Sequence, residues 1–159
     1  MDKIACIVSS PMTRTLETAL VSLAPVFTKG LQVVVWEDLR EFGSGKCSTG
    51  KNIATLKEEF KGLPINWNLL QDGWEYNEKS CKGTEARKES RLARENRVRT
   101  EIYSLAKVVL FGGVWNGIHF PKFTGVGKVE IAVVSHGAFL SEMLGFKGMS
   151  SITLHTDTS

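Results

Sequence analysis

Three short apolar runs constrain this chain more than any other feature: Ile4 to Val8, Leu31 to Trp36 and Glu130 to Val134. Each is rich in valine and isoleucine and shows little polar alternation. A strand with one wet face alternates, so these runs suit strands buried on both faces. Helical patterns separate them. Ser10 can cap a helix whose first position is Pro11. Leu16, Ala19, Leu20 and Leu23 then recur at helical spacing until Pro25 stops the pattern. A second short helix is expected from about Ile53 to Lys61, with Gly62 as its stop. Thr84 to about Leu105 favours helix and is heavily charged. Its thin apolar side (Ala86, Leu92, Ala93, Ile102, Leu105) predicts a solvated outer helix. Strands alternating with helices predict an α/β fold, a three-layer α/β/α sandwich with a mostly parallel sheet.

At 159 residues the chain can build one ordinary core, so 1–159 is read as a single domain. A content of 42% hydrophobic and 23% charged residues excludes wholesale disorder. The net charge of +3 is too small to demand a nucleic-acid or membrane partner. In the charged helix, opposite charges are interspersed and no aromatics interleave, so no nucleic acid is expected there either. No apolar run approaches the roughly 20 residues that span a bilayer, and the N-terminus lacks a secretory pattern. Cys6, Cys47 and Cys81 are odd in number and widely spaced. They predict neither a disulfide framework nor a cysteine metal site, and a reducing, cytoplasmic setting is the simplest expectation. Two stretches resist the scheme. Residues 107–128, rich in glycine and aromatics, read as an unmatched insertion, and 146–159 as an irregular tail.

Chemistry concentrates after the strands, where ligands gather in open α/β sheets. The first group is Ser9-Ser10-Pro11-Met12-Thr13-Arg14-Thr15-Leu16-Glu17-Thr18-Ala19. A strand ends, a helix begins, and Arg14 sits in its first turn. Free backbone N–H groups and the helix dipole favour an anion there, and the planar Arg14 fork matches a tetrahedral oxyanion. The second group is Leu39-Arg40-Glu41, followed by the flexible run Gly43 to Gly50. Glu41 can donate a proton where burial or a neighbouring phosphate favours its neutral form. The third is Val134-Ser135-His136-Gly137, where a buried strand turns into a helix. An imidazole there can bind or stabilise a phosphoryl group, and Gly137 permits close backbone approach.

In this order, Ser10-Pro11-x-x-Arg14-Thr15-x-x-Thr18-Ala19, Leu39-Arg40-Glu41 and Ser135-His136-Gly137 resemble the histidine phosphatase superfamily. The closest likeness is to its small, phosphoglycerate mutase-like fungal and plant proteins, which carry a motif similar to Cys47-Ser48-Thr49-Gly50. The resemblance covers roughly residues 1 to 105 and 128 to 145. It implies phosphomonoester hydrolysis or phosphoryl transfer through a phosphohistidine, with a phosphorylated small molecule or phosphate anion as partner and no cofactor or metal. It further implies that Arg14 and His136 bind phosphate and that Glu41 and His136 are catalytic, Glu41 as general acid. The family's nucleophile lies in an N-terminal Arg-His-Gly, and the chain contains none. The resemblance therefore predicts an incomplete domain lacking its first strand and helix, with apolar sheet edges exposed by the loss. It leaves either a phosphatase impaired by the missing histidine or a non-catalytic phosphate-binding protein.

Overall fold

The computed structural model describes residues 3–42, 49–75, 84–124 and 128–145, with only the backbone of 84–90. Cys47, Ser48, Cys81 and the tail expected over 146–159 lie outside the described residues. The three apolar runs all become strands of one parallel sheet: β1 (Ile4–Ser9), β2 (Val33–Val35) and, late in the chain, a strand over Glu130–Val134. The second is shorter than its apolar run, because Leu31 and Gln32 precede the pairing and Trp36 leads into a 3-10 turn over Glu37–Leu39. A two-residue strand, β3 (Ile65–Asn66), pairs with β2 and was too short to leave a periodic signal.

The first helix, α1 (Thr13–Ser22), starts later than the sequence suggests. Met12, not Ser10, is its N-cap, and Pro11 lies before the helix rather than at its first position. Thr15 Oγ1 donates to the carbonyls of Ser10 and Met12 at 2.8 and 2.7 Å, tying down the entry and leaving the Ser10 hydroxyl for another partner. Pro25 ends the pattern as expected and also opens a single turn, α2 (Ala24–Phe27), where its missing N–H costs nothing. The next helix, α3 (Ile53–Glu59), is capped by Asn52, whose side chain accepts from Thr55 N at 2.8 Å. It stops before Lys61, and Gly62 takes the left-handed φ of +78° beyond it.

The charged helix is longer and far less solvated than expected: α4 runs Thr84–Phe111. Leu92 and Ala93 are exposed, whereas Val98, Ile102, Leu105, Ala106 and Val109 are buried. Its inward stripe therefore begins near Val98 and continues into the stretch read as unmatched. The rest of that stretch holds a hairpin, β4 (Gly113–Trp115) and β5 (Ile118–Phe120), turned by Asn116 and Gly117 at φ 47° and 78°. Positive φ at both turn residues is the twist-compatible hairpin turn that Asn-Gly favours. Trp115 is buried against Trp36 with rings 5.3 Å apart and edge to face, and its Nε1 donates to Glu101 at 2.8 Å.

The strand Glu130–Val134 is β6, and it leads into α5 (Gly137–Leu144). The sheet order is β3-β2-β1-β6. Alternate strand residues feed two cores: Cys6, Val8, Val34 and Ile131 pack with α4 and α5, while Ile7, Val33 and Val35 pack with α1 to α3. Both faces are covered, which explains the missing alternation and makes three layers. The sheet edges expected from a lost central strand do not open between β1 and β6. These two pair directly over Ile4–Ser9, with a register shift between Ile4 and Cys6, and the outer strands of the sheet are β3 and β6.

Phe139, fully buried on α5, lies 5.1 Å from the Phe42 ring and locks the segment carrying Glu41 to the helix that follows His136. Phe139→Ala is expected to cost about 3–5 kcal/mol of stability. Urea unfolding checks this: a loss under about 1 kcal/mol would show that this contact does not hold the layers together.

Candidate functional site

Direct pairing of β1 with β6 brings two strand ends side by side. Ser9 is in register with Val134, and Ser10 N donates to Val134 O at 2.9 Å. One residue further on, Ser10 Oγ and His136 Nε2 are 2.9 Å apart. His136 sits at the N-cap of α5, and Arg14 sits in the first turn of α1 with Nη2 at 2.9 Å from His136 Nδ1. Glu41 arrives from the segment after the 3-10 turn, with Oε2 at 3.8 Å from the same Nδ1. The three residues singled out from the sequence thus meet at the carboxyl ends of β1 and β6.

Neighbouring contacts hold each of them. Trp36 N donates to Ser9 O at 2.9 Å and Ser135 Oγ to Leu39 O at 2.6 Å, so the turn leading to Glu41 is fastened to both strand ends. Arg40 Nη1 donates to Trp74 O at 2.8 Å, and Phe42 N donates to Glu41 Oε1 at 3.0 Å. Gly50 lies flat against the Trp74 ring; a Cβ there would fall 2.0 Å from the indole. That close approach gives a physical reason for glycine at the end of Cys47-Ser48-Thr49-Gly50. Gly137 differs: a Cβ there meets no protein atom within 4 Å, so the close backbone approach expected at this glycine is not made within the chain.

Two participants were not anticipated. Ser10 does not cap α1: its hydroxyl contacts His136 at 2.9 Å and accepts a longer bond from Met12 N at 3.4 Å. Arg94, buried on α4, lies over the Phe42 ring at 4.3 Å and near Phe139 at 5.4 Å. Nothing local in the charged run separates Arg94 from its neighbours. Only the tertiary packing of α4 on Phe42 and Phe139 selects it.

His136 is buried, and its pKa falls from 6.5 to about 4, first through burial and then through the positive charges of Arg14 and Arg94. The ring is therefore neutral near pH 7. On the surface beside it, Arg14 and Lys51 help line a cavity of about 290 Å³ between the start of α1 and Thr49–Lys51; neither His136 nor Glu41 lines it. Among the described residues, no group of three or more His, Cys, Asp and Glu side chains could hold a metal ion, and no helix is long and apolar enough to cross a membrane.

A histidine buried neutral binds fewer protons folded than unfolded, so its contribution to stability falls as pH drops from 6.5 toward 4. Each pH unit in that window is expected to cost up to about 1.4 kcal/mol. Urea midpoints at pH 7 and pH 5, compared with those of His136→Gln, measure it. An equal acid sensitivity in the variant would place its origin elsewhere.

Against known proteins, residues 2–107 match the histidine phosphatase superfamily (branch 1). No curated protein and no solved structure matches the chain significantly. The matched span contains Arg14 and Glu41 and ends before β6, so His136 lies beyond it. It covers well over half of the polypeptide, and its motif-bearing part is the parallel α/β layer described above. The chain belongs to branch 1 of the histidine phosphatase superfamily.

Proposed function

We propose that Arg14, His136 and Glu41 form a phosphoryl-binding site of the phosphoglycerate mutase-like phosphatase lineage, directed at a phosphorylated small molecule. The observation that carries this reading is the meeting of Arg14 and Glu41 on one buried, neutral imidazole at the carboxyl ends of two parallel strands. Superfamily membership supports phosphatase- or mutase-like chemistry. In the proposed roles, Arg14 supplies a bidentate fork for two phosphoryl oxygens, with α1's first-turn N–H groups adding partial positive charge. His136 binds a third oxygen, and Glu41 protonates the leaving oxygen. The run Cys47-Ser48-Thr49-Gly50 after Glu41 supports the small fungal- and plant-type branch. A reducing, cytoplasmic setting goes with this reading, since the three widely spaced cysteines predict no disulfide framework.

The second part of the proposal is that this polypeptide turns over poorly. Phosphohistidine chemistry needs an imidazole in line with phosphorus, and the 159 residues contain no Arg-His-Gly. His119 does not substitute. It lines a cavity with Ile4 and Ala5, at the other end of β1 from Ser10, and His155 lies outside the described residues. Without a nucleophile, charge stabilisation leaves only direct attack by water, a small residue of the usual rate. That same inventory favours one alternative, a non-catalytic phosphate-binding protein using Arg14 and His136.

Two measurements separate these readings. Inorganic phosphate or vanadate should bind by calorimetry, and Arg14→Ala should weaken binding by about 1.5–3 kcal/mol, roughly ten- to a hundredfold. Unchanged affinity in that variant would remove Arg14 from the site. Hydrolysis of a generic aryl phosphate, without added metal, should be weak or undetectable for the 159-residue polypeptide. It should rise in a version extended at its N-terminus by an Arg-His-Gly strand. Robust metal-independent turnover by the polypeptide as it stands, abolished by His136→Ala, would make His136 the nucleophile and overturn the assignment.

A further inference from the structure

The position of the proton on His136 follows from what its partners lack. A guanidinium has N–H donors and no acceptor. His136 Nδ1, 2.9 Å from Arg14 Nη2, must therefore present a lone pair. The neutral ring then carries its one proton on Nε2, which donates to Ser10 Oγ across 2.9 Å. Ser10 is a reversible partner, since a hydroxyl accepts or donates by rotating about one bond. Glu41 Oε2, at 3.8 Å from Nδ1, faces a nitrogen that has no proton to give it.

Nδ1 thus has two claimants of opposite chemistry. Arg14 requires its lone pair, and Glu41 requires it to carry a proton. The charged groups facing the ring are Arg14 from α1, Arg94 from α4 and Glu41 from the segment after the 3-10 turn. Arg94 is buried over two aromatic rings and keeps its place. Arg14 is exposed and opens on the surface cavity it shares with Lys51, so it is the member an incoming anion meets first.

We propose that Arg14 gates the proton on His136: while its guanidinium caps Nδ1 the ring stays in the Nε2–H form, and an oxyanion that takes the Arg14 fork frees Nδ1 to carry the proton and donate a hydrogen bond to an oxygen of that anion, with the Glu41 carboxyl beside it. The proton leaves Nε2 and one returns to Nδ1 by exchange with water, so the ring's charge does not change. The Ser10 hydroxyl rotates to donate to Nε2, which becomes an acceptor. Ser10, His136 and the bound anion then form one hydrogen-bonded row. Arg14 and Ser10 act here as positioning residues, through the imidazole. The gate rests on the proposed phosphate-binding reading for the identity of the anion, and on geometry alone for the resting tautomer.

Nitrogen-15 NMR of histidine-labelled protein at pH 7 reads the tautomer directly. The chain has three histidines, and a His119→Gln, His155→Gln background leaves only the His136 signals. The phosphate-free protein should show the proton on Nε2. Arg14→Ala should shift the tautomer ratio toward Nδ1–H by about tenfold or more, the ratio one charge-assisted hydrogen bond sets. Arg14→Lys, which restores a cationic donor, should return it. Inorganic phosphate, with binding followed in parallel by calorimetry, should move the Arg14-containing protein toward Nδ1–H as it saturates. This last measurement stands even if Arg14→Ala fails to fold. Nδ1–H in the phosphate-free protein, or an unchanged tautomer in Arg14→Ala, overturns the capping. Calorimetric binding with an unchanged tautomer overturns the gate and leaves the phosphate-binding reading standing. No binding at all overturns that reading, while the variant spectra still decide the capping.

Discussion

Everything at the site depends on the hydrogen-bonded contact between two parallel strands that are far apart in sequence. β1 ends at Ser9, just before Ser10, β6 ends just before Ser135-His136, and their register puts Ser9 opposite Val134. A strand's side chains alternate between faces, so a slip of one residue would send them to opposite faces of the sheet. The register is secured by burial on both sides. Ile7 points into one core and Cys6 and Val8 into the other, and each neighbouring strand repeats the division. The apolar layers therefore do more than stabilise the domain. They set the register that brings Ser10, Arg14 and His136 within hydrogen-bonding distance.

Burial then determines what the cluster can do. An imidazole in water would be partly protonated near neutral pH and would repel Arg14. Sunk beneath the strand ends beside two guanidinium groups, His136 is neutral, and a neutral ring can accept a hydrogen bond from one of them. Glu41 adds a carboxylate at the edge of this positive cluster, fixed through Phe42 and the fastened turn before it. The superfamily match spans Arg14 and Glu41, while the histidine lies beyond it.

Much of this was legible in the residues. Unalternating valine and isoleucine runs reveal strands covered on both faces, and three such runs suffice to give the central parallel layer. Arg14, Glu41 and His136 were singled out by their place beyond the strand runs together with the resemblance that joins the three motifs. What escaped the sequence was tertiary in origin. Ser10 has the chemistry of a helix cap, and only the presence of His136 across the sheet redirects its hydroxyl. The inward stripe of α4 was obscured because its charged N-terminal half dilutes the apolar periodicity that begins at Val98. The hairpin after it did carry a local sign: Asn116-Gly117 between Trp115 and Ile118 is a two-residue turn signature, overlooked amid the surrounding glycines. Arg94 had no such sign, since nothing within the helix distinguishes a guanidinium that will lie over aromatic rings.

Burial also separates the two arginines with respect to dissolved ions. Arg14 stands in solvent, where mobile counterions gather around its charge and shorten its reach to about 8 Å at physiological ionic strength. Arg94 sits over Phe42 and Phe139, where such an atmosphere cannot form and its field passes through a medium that screens poorly. The positive potential at His136 consequently has a salt-sensitive outer component and a salt-resistant inner one. Crowding the solution with electrolyte weakens the outer attraction for an approaching anion while leaving the inner field on the imidazole nearly intact.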